Sequence, residues 1–163
     1  MRIALLSDVH DNTDNLLLVL QQAAEMGCSR LFFMGDIVET RTLHLLLEEW
    51  ARPADIVFGN NEYELDTHQR IAAQYPNVAH HGYEADIEVE GRRIFFTHMP
   101  RRAMDKACAA SHHAVFYGHT HVAEQYLHGH TLVANPGEVA GVRRPPSFAV
   151  YNTADNDVIF YYL

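Results

Sequence analysis

MRIALLSDVHDNTDNLLLVLQQAAEMGCSRLFFMGD, running from Met1 to Asp36, sets a strand, a helix and a second strand in order. Arg2 to Ser7 is a short apolar run, which reads as a strand. Asn12 or Thr13 can cap the helix that follows, LLLVLQQAAEM, and Gly27 ends it. Leu31 to Met34 is apolar again and stops at Gly35-Asp36. Two strands separated by a helix make a β–α–β unit, whose strands pair in parallel.

The alternation continues outward from there. RTLHLLLEEW, Arg41 to Trp50, reads as a helix with Leu43, Leu46, Leu47 and Trp50 on one side. Ile56 to Phe58 is a third strand ending in Gly59, and a helix over Glu62 to Gln74 is stopped by Pro76. Strands then dominate. Tyr83 to Val89 and Arg92 to Thr97 flank Glu90-Gly91, which reads as a hairpin turn. Arg101 to Ser111 is a helix. Val115 to Tyr117, Val122 to Leu127, Thr131 to Ala134, Ser147 to Tyr151 and Val158 to Tyr162 are strands, with turns at His128-Gly129 and Asp155 to Asp157. The pattern predicts an α/β fold: a two-sheet β-sandwich flanked by helices on both outer faces. One sheet is expected to be partly parallel, the other mostly antiparallel.

The 163 residues fit one domain, 1–163, and neither a repeat nor a linker divides them. The one Pro-rich spot is the local RRPP at Arg143 to Pro146. A formal charge of −9 argues against broad binding of nucleic acid or an anionic membrane. It leaves room for a phosphate substrate, because bound cations invert the local field. Cys28 and Cys108 form no C-x-x-C pair, so neither a zinc knuckle nor a redox motif is indicated, and a reducing cytoplasm is the default location. The apolar stretch IALL stops at Ser7-Asp8, too short for a signal peptide or a membrane span.

The polar residues after each apolar run carry the chemistry. Asp8 and His10 follow the first, Asp36 the second and Asn60 the third; His98 follows FFT, and His119 and His121 follow VFY. In open α/β sheets ligands bind outside the carboxyl ends of the strands. Singly, each residue has a plainer reading: Asp8 as a turn cap, His10 on the surface, Asp36 and Asn60 as turn chemistry after glycine, His98 as a satisfied polar group. Together they form a set of oxygen and nitrogen donors suited to manganese, iron, zinc, nickel or cobalt rather than calcium. The set is too large for one ion with an open position. Two ions about 3.5–4 Å apart, sharing a carboxylate, account for it and clamp an in-line displacement at phosphorus.

In order and spacing, LLSDVHDN, FFMGDIVE, VFGNNEYE, FFTHMP and FYGHTHV resemble the five blocks of calcineurin-like metallophosphoesterases. They are most similar to the small capless bacterial and archaeal phosphodiesterases of that superfamily. The resemblance runs from Met1 to about Gly137, ending at an N-P-G turn. It implies that Asp8, His10 and His121 hold one metal, that Asn60, His98 and His119 hold the other, and that Asp36 bridges them. The cofactors implied are two divalent ions, manganese first, with iron, zinc, nickel, cobalt or magnesium as alternatives. Thr120 is expected to keep His119 and His121 on the same side of an extended segment.

Two departures from the family pattern stand out. Asn61 occupies the place of a histidine or cysteine; where the family has histidine, it hydrogen-bonds phosphate and can protonate the leaving group. Asparagine donates a hydrogen bond but cannot deliver a proton at neutral pH. Met99 replaces a glycine, and its thioether would narrow the cleft or make it more apolar. The implied mechanism has a metal-bridging hydroxide attack phosphorus, with Asp36 and His10 at the metals and Asn61 on a nonbridging oxygen. Glu62 would orient a histidine such as His10, or else lie exposed in a first helical turn, favoured there by the dipole.

The expected activity is that of a metal-dependent phosphoric ester hydrolase, diesterase before monoesterase, acting on a small phosphate ester. Aryl diesters should serve it better than alkyl phosphates. The alternative is a protein-interaction scaffold on the same fold, since a retromer subunit resembles this family. Phe160 to Leu163 suit either the core or an interface, which leaves a homo-oligomer open.

Overall fold

The computed structural model describes residues 1–163. In chain order the elements are β1 (Arg2–Leu6), α1 (Thr13–Glu25), β2 (Arg30–Phe33), α2 (Thr40–Glu49), β3 (Ala54–Ile56), α3 (Leu65–Ala72) and β4 (Val78–His80). There follow β5 (Glu84–Val89), β6 (Arg92–Thr97), α4 (Pro100–Cys108), β7 (Ala114–Phe116), β8 (Ala123–His128), β9 (Thr131–Pro136), β10 (Ser147–Asn152) and β11 (Asp157–Tyr162). No helix is long and apolar enough to cross a membrane.

The first sheet has the order β11-β10-β1-β2-β3-β4. Its β1, β2, β3 and β4 pair in parallel, as the β–α–β reading requires, while β10 and β11 add antiparallel strands beside β1. The second sheet has the order β5-β6-β7-β9-β8. Here the expectation of a mostly antiparallel sheet is corrected. The β5–β6 and β8–β9 hairpins are antiparallel, but β6, β7 and β9 run parallel. Helix α4 carries the chain from β6 over to β7 and forces that parallel pairing, and β8 serves as the crossover from β7 to β9.

Alternating strand residues divide three apolar layers. Ala4, Leu6, Leu31, Phe33, Ala54 and Ile56 face outward and pack on α1, α2 and α3 through Leu16, Val19, Leu43, Leu46 and Ile71. Ile3, Leu5, Phe32 and Tyr151 face inward against Ile94, Phe96, Phe116 and Ala134 of the second sheet. Phe32 stacks on Phe96 at 4.7 Å between ring centroids. Phe95, Val115 and Val133 point out on the far side and bury Ala103 and Ala107 of α4. Strands covered on both faces carry unbroken apolar runs, which is why β1 and β2 read without alternation.

Local differences have local causes. Asn12, rather than Thr13, caps α1, accepting the Asn15 N–H at 3.1 Å. Helix α3 starts at Leu65, not Glu62, because Glu62 is held in the preceding loop. Strand β4 sits where none was expected; it is short and only half-buried, so it has no apolar run to announce it. The β5–β6 turn is as read: Glu90 and Gly91 are both left-handed, with φ of 49° and 75°. On the edge strand β11, Val158 is buried, while Ile159 and Tyr162 are exposed.

Candidate metal centre

Parallel pairing sends the carboxyl ends of β1, β2, β3, β6 and β7 to one edge of the sandwich, and the seven candidate side chains arrive there together. Asp8 and Asp36 are buried under the rim. His10 Nε2 lies 3.8 Å from Asp8 Oδ1 and 3.6 Å from Asp36 Oδ2. His121 Nε2 lies 3.3 Å from Asp8 Oδ1, and His98 Nε2 lies 3.4 Å from Asp36 Oδ2. Asn60 Oδ1 stands 3.0 Å from His98 Nε2 and 2.8 Å from His119 Nδ1. Two triads have donor atoms mutually within 4.8 Å: Asp8 with His10 and His121, and Asp8 with Asp36 and His98.

The loops that present these groups are unusually bent. Asp8, His10, Asp36, His119 and His121 all have positive φ, between 43° and 69°. Non-glycine residues avoid this region, at a cost of order 1 kcal/mol or more each. The expected extended path through Thr120 is therefore corrected. His119 and His121 both turn left-handed and diverge, His119 toward Asn60 and His98, His121 toward Asp8. Close approach of the loops excludes side chains elsewhere. A Cβ on Gly59 would lie 2.0 Å from Asp36 Oδ1, and one on Gly118 would lie 2.0 Å from Ser7 Oγ.

Hydrogen bonds orient the set. The Asn60 and Asn61 N–H groups donate to Asp36 Oδ1 at 2.8 and 3.0 Å, and Asn61 Nδ2 donates to Asp36 Oδ2 at 2.6 Å. The His119 N–H donates to Asp8 Oδ2 at 3.0 Å. His98 Nδ1 faces the Met34 carbonyl at 2.8 Å and must donate to it, leaving the Nε2 lone pair aimed at Asn60 and Asp36. His121 Nδ1 lies 2.7 Å from Glu138 Oε2, with its Nε2 toward Asp8.

Two atoms of the set are left over. Asp8 Oδ1 and His10 Nε2 are buried and have no hydrogen-bond partner, which is costly unless a cation lies between them. Titration directions report the same field. The Asp8 carboxylate raises His10 against the opposing effect of burial. Burial lowers His98, but Asp36 and Asp8 outweigh it and raise the ring overall. Burial works against ionisation of Asp36, yet His98 and the Asn61 donors hold it below the usual carboxylate range. The donor set and its negative field fit divalent metal binding.

Two acids differ from expectation. Glu62 does not orient His10, nor is it exposed at a helix start. It is buried, accepting the Ile37 N–H at 2.9 Å and the Gly59 N–H at 2.8 Å, and so ties the Asp36 loop to the Asn60 loop. Burial pushes its carboxyl above the ordinary range; the Ile37 N–H works the other way, and the Asp36 charge adds to the rise. Glu138 follows β9, a strand parallel to β7, and so reaches the same edge without ending an apolar run that announces it. The rule that gathered the other residues finds it too, once β9 is known to be parallel. Its Oε1 accepts the N–H groups of Arg143, at 2.6 Å, and Arg144, while both arginine side chains stay exposed.

The remaining histidines are outside this cluster; His80, at the carboxyl end of β4, packs on Phe58 at 4.2 Å between ring centroids. His44 is half-buried on α2, and His68 is buried near Phe58. His81 Nε2 meets Asp55 at 2.9 Å, and His112 Nε2 meets Asp86 at 3.2 Å. Beside Asn60, a cleft of about 280 Å³ is lined by Phe58, Leu65, Tyr83, Thr97, Met99 and Arg102 among others. Met99 thus walls the cleft with a thioether.

Known proteins share this arrangement of chain. Residues 1–156 match the family model described as the calcineurin-like phosphoesterase superfamily domain. Phosphodiesterase YfcE of Escherichia coli (strain K12) is 27% identical, over 98% of this chain and 90% of that protein. The structure of a novel archaeal phosphodiesterase superposes with a TM-score of 0.90 at 22% identity, covering 100% of both chains. Vps29 of Entamoeba histolytica, solved in complex with zinc, superposes with a TM-score of 0.67 at 17% identity, covering 99% of this chain and 91% of that one. At those identities the two structures are like this one in fold.

Proposed function

The chain belongs to the calcineurin-like phosphoesterase superfamily and is a metal-dependent phosphoric ester hydrolase; from that premise we propose that it cleaves small phosphodiesters at a centre of two divalent ions. The observation that carries this reading is the convergence of seven donor side chains on a rim where Asp8 Oδ1 and His10 Nε2 have no partner. Asp8, His10 and His121 would hold one ion, and Asn60, His98 and His119 the other. Asp36 would serve both, its Oδ2 lying between His10 Nε2 and His98 Nε2. Manganese suits the mixed donors, as do iron, zinc, nickel, cobalt and magnesium.

Bound there, divalent ions supply Lewis acidity to the phosphoryl group and to the attacking water. The chain does the rest. Backbone N–H groups fix Asp36 through Oδ1, so its other oxygen keeps a set position. Asn61 Nδ2 gives one N–H to Asp36 Oδ2, and its second N–H would hold a nonbridging phosphate oxygen. It has no proton to give a departing alkoxide, so departure rests on the leaving group's own acidity or on water. The cleft of Phe58, Tyr83 and Met99 beside Asn60 offers apolar walls to an aryl substituent. The charge of −9 favours small esters over nucleic acid. Free Cys28 and Cys108 suit a reducing cytoplasm.

Elemental analysis of the purified protein, with hydrolysis of bis(p-nitrophenyl) phosphate in added manganese, tests the reading. Two ions per chain and a loss of roughly 100-fold or more in kcat/KM for Asp36→Asn are expected. Turnover that survives both chelation and Asp36→Asn would overturn it. Absence of any turnover would assign the fold to a scaffold.

A further inference from the structure

Glu138 stands directly behind His121, and its contacts account for both of its oxygens. Its side chain is fully buried. Oε1 accepts the N–H groups of Arg143 and Arg144, so Oε2 alone faces the ring, 2.7 Å from His121 Nδ1. The ring itself is enclosed, 6% exposed and stacked on His10 at 5.2 Å. It cannot turn to offer Nδ1 elsewhere. Its Nε2 points at Asp8 Oδ1, 3.3 Å away.

We infer that Glu138 is a positioning residue: its carboxylate holds His121 as the Nδ1–H tautomer and so presents the Nε2 lone pair to an ion shared with Asp8. The inference rests on the metal centre proposed above. Which ring nitrogen of a histidine carries the proton is set by the hydrogen bond the other nitrogen makes. A neutral imidazole left to itself in water favours Nε2–H, which would aim a proton at Asp8 and shut out a cation. A carboxylate has only acceptors to offer, so the ring must donate from Nδ1. Oε1 meanwhile pins the loop of Arg143 and Arg144, so one side chain couples that loop to the histidine.

Glutamine and alanine at this position separate the two duties. In Glu138→Gln the amide oxygen can still accept the loop N–H groups, but the amide NH₂ then faces Nδ1 and forces the proton onto Nε2. Glu138→Ala removes both contacts and leaves the ring free to choose. Long-range ¹H–¹⁵N spectra of the chelator-treated protein, at a pH where imidazoles are neutral, read the tautomer directly. Wild type should show His121 protonated at Nδ1, and Glu138→Gln should show the reverse. Equilibrium dialysis against manganese, with elemental analysis, should find that Glu138→Gln weakens one of the two ions by about 10–100-fold. Glu138→Ala should weaken that ion less, although it destabilises the metal-free fold more. A wild-type His121 protonated at Nε2, or a Glu138→Gln protein that binds both ions as wild type does, would overturn the inference. Wild-type protein that binds no metal would overturn the proposed centre instead, and the tautomer spectrum would still decide the role of Glu138.

Discussion

At the scale of single residues, the site departs from what side-chain chemistry alone announces. The donor types at Asp8, His10, Asp36, Asn60, His98, His119 and His121 are legible because each ends an apolar run. The left-handed backbone at five of them is not, because nothing about aspartate or histidine requires it. Asn61 is legible in another sense: it occupies the place where an acid would stand, and it binds Asp36 instead. That substitution has a kinetic signature. Rates of wild type should fall steeply as the leaving group becomes less acidic, because no side chain supplies a proton. Asn61→His restores an imidazole with a titratable proton. It should raise hydrolysis of alkyl diesters by roughly 10–100-fold while changing aryl diesters only a few-fold. A series of diesters graded by leaving-group acidity measures the slope. An equally steep slope in Asn61→His would show that the position does not touch the leaving oxygen.

At the scale of elements, strand and helix interiors follow periodicity, whereas their ends follow hydrogen bonds that join distant loops. The helices with apolar stripes, α1 and α2, lie within a residue or two of where their patterns put them. Strand β4, with the short sequence VAH, has no such pattern, and α3 begins three residues late. The late start traces to Glu62. Its oxygens bind Ile37 N–H on the β2 loop and Gly59 N–H on the β3 loop, so the residue cannot also enter the helix. No local signal encodes a partner 25 positions away. Removing the carboxylate should therefore leave two buried N–H groups without acceptors. Glu62→Ala is expected to cost about 2–4 kcal/mol in urea unfolding of the metal-free protein. Glu64→Ala, an exposed neighbour, should change stability by less than about 0.5 kcal/mol. Equal effects at the two positions would mean that the loops are held by their backbones alone.

At the scale of the whole molecule, the candidate ligands are shared between the layers. Asp8, His10, Asp36 and Asn60 hang from the first sheet, and His98, His119 and His121 hang from the second. The sheets meet through Ile3, Leu5, Phe32 and Phe96 in the interior, but at this edge they meet through carboxylates and imidazoles, among which Asp8 Oδ1 and His10 Nε2 have no hydrogen-bond partner. Without a cation the edge is an unfavourable seam: two buried aspartates face each other's field, and left-handed loops store strain. An ion bound to groups from both sheets would close the seam, and any species that binds only the folded state stabilises it by mass action. At a free manganese concentration about 100-fold above its dissociation constant, one site adds about 2.7 kcal/mol. For a domain of this size that is a rise of roughly 5–10 °C in Tm. Chelation should reverse the rise, and Asp36→Asn should lose most of it, because Asp36 lies between His10 and His98. Calorimetry with and without metal reads the shift. A Tm indifferent to manganese, zinc and chelator alike would mean that the two sheets are joined by their apolar interior alone and that the convergent donors hold no ion.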